Sequence, residues 1–72
     1  MHNRLLGTVK WFNEDHGMGV ISSDEEEVDY FVTQLAIIEG GQGSLQEGER
    51  VSFEPVIEGV ACWAFNVIRE QP

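Results

Sequence analysis

The sequence predicts an all-β fold, a small five-stranded antiparallel Greek-key barrel. Short apolar runs recur at close spacing, with glycine and acidic residues between them, which is the punctuation of strands and turns rather than of helices. Two close hairpins followed by one long crossing connection fit a sheet that closes on itself and so hides its edges. A length of 72 residues suits one small domain with a modest core, near the lower limit for folding without disulfides or metal.

Leu5–Asn13 reads as the first strand and residues 18–22 as the second. Gly17, in the tight connection between them, supplies a backbone geometry that other residues resist. Residues 24–27, Asp-Glu-Glu-Glu, form a charged turn. Asp29–Thr33 is the third strand, where two-residue alternation puts Tyr30 and Val32 on one face and Phe31 and Thr33 on the other. The long connection that follows contains Gly40, Gly41 and Gly43, and residues 35–38 before them suit a single helical turn. Residues 50–54 make the fourth strand, which Pro55 ends or confines to an edge. Ala61–Arg69 is the fifth.

Thirteen acidic residues against four basic ones give a net charge of −9, which opposes polyanion binding and favours solubility or a cationic partner. The lone Cys62 has no partner for an internal disulfide, and the N-terminus lacks the order of charged, apolar and small residues of a secretory signal, so a reducing cytoplasm is expected. No apolar run approaches the roughly 18 to 20 residues that cross a bilayer, and no membrane association is expected. Two distant histidines and one cysteine define no zinc site, and the 24–27 run lacks the ligand alternation and central glycine of a calcium loop. With no convergent catalytic set, neither a cofactor nor enzymatic activity is expected.

The motifs then converge. Lys10-Trp11-Phe12-Asn13, the glycine pair Gly17 and Gly19, and the stretches Leu45, Glu47-Gly48, Val51-Ser52-Phe53 and Asn66-Val67 stand in the register of the cold-shock domain. The chain resembles that family over nearly its full length. The resemblance implies a barrel of the oligonucleotide-binding type, and a sheet face whose rings stack unpaired bases within a basic surround.

Carried over position by position, the implied site comprises Lys10, Trp11, Phe12, Asn13, His16, Met18, Val20, Asp29, Phe31, Thr33, Gln34 and Gln42. Trp11, Phe12 and Phe31 keep rings, Lys10 keeps a charge, and Asp29 keeps a carboxylate able to accept a hydrogen bond from a base edge. The remainder departs from the family. Met18 and Val20 stand where the first ribonucleoprotein motif has two phenylalanines, Thr33 and Gln34 replace the His-Phe that ends the second, and Gln42 replaces a loop aromatic. His16 stands for a lysine, and the basic Gly-Pro loop is missing around Gly59 and Cys62. A stacked ring contributes about 1–3 kcal/mol per base, so these losses, with Lys10 nearly alone as a cation on the face, imply weak binding.

Each residue also has a plainer reading. Strict alternation puts Trp11 on the face of Val9, hence in the core, unless a bulge near the barrel end reverses it. Phe12 suits packing as well as stacking. Met18 and Val20 suit an ordinary half-exposed face, or, flanked by Trp11 and Phe31, an apolar interaction patch. His16 suits an exposed turn, and Tyr30, Trp63, Phe65 and Cys62 read as core or rim filler.

The expectation is therefore weak, largely sequence-independent binding of single-stranded RNA or DNA, as a nucleic-acid chaperone or regulator of gene expression. The competing reading is an acidic module or nucleic-acid mimic that binds a basic protein. The resemblance implies a monomer, although exposed Phe31 and Met18 also suit a homodimer.

Overall fold

The computed structural model describes residues 4–25, 28–38 and 44–70. Its strands are β1 (Leu5–Asn13), β2 (Met18–Ser23), β3 (Asp29–Thr33), β4 (Arg50–Glu58) and β5 (Ala61–Arg69). They close into a barrel in the order β1-β2-β3-β5-β4, with β4 returning to β1. The all-β barrel is thus as the sequence predicts, with one difference in direction: β3 meets β5 in parallel, at Phe31 and Trp63, while the other pairs are antiparallel.

The interior is filled by alternate residues of every strand. Val9, Ile21, Tyr30, Val32, Val51, Phe53, Ala64 and Val67 are buried there, and Tyr30 packs its ring on Phe53 with centroids 5.0 Å apart. Tyr30 is therefore core, as expected, and Cys62 is half-buried against the same cluster.

Two strand bounds differ from the expectation. β2 runs one residue further, to Ser23, and β4 continues through Pro55 to Glu58. β1 pairs with β4 only as far as Leu5 opposite Phe53, whereas β5 accompanies β4 to its end. Pro55 pairs with Ala64 on that one side, so its missing N–H falls where no ladder is continued. The helical turn is a 3-10 turn at Gln34–Ala36, one residue earlier than expected. The turn at 24–27 is described only in part, and within it Asp24 is bound to Arg50 rather than simply solvated.

Two bulges set which side chains point outward. In β1 the register slips between Val9 and Trp11. In β5 it slips where β4 passes from Ser52 to Glu54, beside Asn66, whose φ of 51° is the left-handed conformation such a bulge uses.

Candidate nucleic-acid interface

The β1 bulge places the ring that the sequence left undecided. Val9 stays in the core opposite Ile21, the extra residue is taken up at Lys10, and Trp11 arrives opposite Val20 on the outer face, 46% exposed. The same slip turns Phe12 inward. It is half-buried against the core and close over Gly19, where an added Cβ would lie 2.7 Å from the Phe12 ring. Phe12 thus supports the face from behind instead of offering an exposed platform.

Pairing then builds a row across four strands: Trp11 opposite Val20, Val20 opposite Phe31, and Phe31 opposite Trp63. At the usual strand spacing the row is about 14 Å wide. Phe31 is 49% exposed, whereas Val20, between Trp11 and Phe31, is only 8% exposed. Val20 is therefore the floor of the patch and not half of an open apolar pair. A second row runs Asn13, Met18, Thr33, with Met18 40% exposed.

The polar residues are engaged in the fold's own contacts. Asn13 Oδ1 accepts the backbone N–H of His16 at 3.1 Å, and its carbonyl accepts the N–H of Gly17 at 2.8 Å, so Asn13 closes the β1–β2 turn. Gly17, at φ 66°, needs the left-handed region and lies under the Gln34 side chain, which a Cβ there would meet at 2.5 Å. Gln34 itself donates its N–H to the Gly17 carbonyl at 2.9 Å. His16 stands exposed in the turn. Lys10 donates to Asp29 at 3.1 Å, both side chains about half exposed. Gln42 lies outside the described residues.

That lysine pair is part of a wider pattern. The four Lys and Arg residues of the sequence all bind carboxylates: Arg4 with Glu54 at 3.8 Å, Lys10 with Asp29, Arg50 with Asp24 at 2.6 Å, and Arg69 with Glu49 at 2.8 Å. Arg50 grips both Asp24 oxygens, and this hydrogen bonding holds the Asp24 carboxyl below its ordinary value and the Arg50 guanidinium above its own. Among the described residues no three His, Cys, Asp or Glu side chains gather to hold a metal, and no helix is long and apolar enough to cross a membrane.

Across residues 5–70 the chain matches the model of the 'Cold-shock' DNA-binding domain. The chain belongs to the cold-shock domain family. It is 50% identical over 68 residues to the cold shock-like protein CspA of Shewanella violacea, covering 94% of this chain and 97% of that protein. The cold shock-like protein CspE of Escherichia coli K12 is 44% identical over 66 residues, 92% and 96% of the two chains. Among solved structures, Drosophila Unr CSD456 superposes with a TM-score of 0.82 over 99% of this chain and 28% of that one; at 18% identity it shows the shared fold.

Within this cold-shock barrel, sequence reasoning missed Trp63 and Phe65 as members of the outer face. Trp63 packs on Phe31 with ring centroids 5.8 Å apart and planes tilted by 50°, and Phe65 is 42% exposed. Their reading as core or rim filler followed from their standing where the family has smaller residues on the fifth strand. The signal that could have found them is their alternation with Ala64, which is buried.

Proposed function

We propose that this cold-shock barrel binds single-stranded RNA or DNA weakly and with little regard to sequence, by stacking bases on the row from Trp11 to Phe31. A cold-shock domain is a nucleic-acid-binding module rather than an enzyme. The observation that carries the reading is the bulge at Lys10, which turns Trp11 outward beside Phe31. Every base has a π-face, so such rings bind unpaired strands without reading sequence. The role that follows is that of a monomeric chaperone keeping strands unpaired, or a regulator acting through it.

Weakness follows from charge. Affinity for a polyanion grows with the phosphates neutralised, and here each cation already has a carboxylate. The same observation supports a second reading, in which the acidic barrel docks on a basic regulator as a protein module or nucleic-acid mimic.

Tryptophan fluorescence titration with a pyrimidine-rich single strand, at low and at physiological salt beside a duplex control, separates the two. Quenching that saturates near micromolar strand and weakens with salt is the expected result. A flat signal at both salts would reject stacking and leave the protein-docking reading.

A further inference from the structure

The outer face of β3 and β5 holds a hollow in which Thr33 stands at a family motif position, while Glu58, Trp63, Ala64 and Phe65 lie outside the motifs. Phe31 and Trp63 stand side by side, and because their strands run parallel, the residues two further along each, Thr33 and Phe65, share that face. Three of these four positions carry rings and the fourth a threonine. The small side chain among large ones leaves a cavity of about 260 Å³ lined by Thr33, Glu58, Trp63, Ala64 and Phe65. Ala64 is buried between the two rings in sequence, which fits a floor to the cavity.

We propose that this hollow is a second base site, taking one unpaired guanine of a single strand with its base edge toward Glu58. The proposal rests on the nucleic-acid reading above. Flat aromatic walls suit a flat ring, and the hollow continues the row through the Phe31–Trp63 contact, so a strand on Trp11 and Phe31 reaches it without leaving the sheet. Ring surface absent from the end of β3, at Thr33 and Gln34, is thus restored one strand away.

Glu58 selects among bases. A carboxylate only accepts hydrogen bonds, and the cations of the chain are paired with other carboxylates, Glu54, Asp29, Asp24 and Glu49. Guanine presents two adjacent N–H donors, at N1 and N2, to match two carboxylate oxygens. Cytosine and adenine offer one amino group, and thymine or uracil offers one N–H between two carbonyl oxygens that a carboxylate repels. A phosphate is repelled outright.

The test uses a thymidine strand of about 8 nucleotides, within the span of one such barrel, with and without one central guanine, and a third strand with inosine there. Trp11→Phe leaves Trp63 as the single reporter of the two tryptophans. Its signal is expected to change with the guanine strand, and that strand to bind the wild type about tenfold tighter than all-thymidine. Inosine, lacking the N2 donor, is expected to fall between them. Glu58→Gln, an exposed change that leaves the fold intact, removes the guanine preference, and Trp63→Leu, checked for folding by its melt, lowers guanine-strand affinity about tenfold. Wild-type binding with no guanine preference and a silent Trp63 overturns the second site while the stacking row stands. Absence of binding to any strand at low salt, by folded protein, overturns both.

Discussion

Asp29 decides what Lys10 can do. The ammonium lies beside the ring row but is held by a carboxylate at 3.1 Å, so a phosphate must compete for it. Asp29→Asn leaves the lysine charged and uncompensated. It is expected to tighten single-strand binding several-fold at low salt and to steepen the slope of log affinity against log salt by about 0.7, the increment for one phosphate of a single strand; titration at a series of salt concentrations measures both. Asp24 plays a different part, joining the end of β2 to the start of β4 through Arg50. Its folded-state pKa is depressed by that hydrogen bonding, so its contribution to stability is present above the unfolded pKa of about 3.9 and fades as pH falls through the lower folded value. Asp24→Asn therefore lowers the melting temperature at pH 7, and the difference from wild type shrinks in strong acid, which thermal melts at the two pH values check.

The two β1 and β5 bulges, more than any strand's composition, set the face. Alternation was enough to separate Tyr30 and Val32 from Phe31 and Thr33, because β3 has no irregularity, and the structure puts the first pair in the core and Phe31 outside. It left Trp11 open between core and surface, since a slipped register reverses every side chain beyond it, and the family resemblance was needed to favour exposure. Trp63 illustrates the limit in another way. Its partner Phe31 is brought to it by a parallel closure between strands far apart in sequence, which no local pattern announces. Pro55 misled the reading of β4 because a proline's tolerance depends on where the neighbouring strand ends, and that is a property of β1. Gly19 was legible as a motif glycine but not for its reason. A Cβ there would lie 2.4 Å from the Trp11 carbonyl oxygen and 2.9 Å from the Phe12 Cα, both backbone atoms. Gly19→Ala must therefore push β1 from β2, and is expected to destabilise the fold by about 1–3 kcal/mol, as overpacking does. Denaturant melts measure this, and an unchanged midpoint would contradict the close approach.

For a whole molecule with a net charge of −9 on 72 residues, added salt acts on stability and on single-strand binding with opposite signs. Self-repulsion destabilises a compact chain of one predominant charge, and the Debye length falls from about 10 Å at 0.1 M salt to about 3 Å at 1 M. Moderate salt is thus expected to raise the melting temperature while it weakens any complex with a single strand. Calorimetry and titration over one salt series check the pair of trends; a melting temperature that falls with salt would mean that the four ion pairs outweigh the repulsion.

The Lys10–Asp29 pair also bears on time. When a phosphate draws the lysine away, the carboxylate stays at the edge of the rings, ready to reclaim its partner the moment the strand lifts, and the surrounding negative field slows the strand's return. If the proposed stacking holds, such a barrel would keep each stretch of strand only briefly, which suits passing along a single strand better than staying on it.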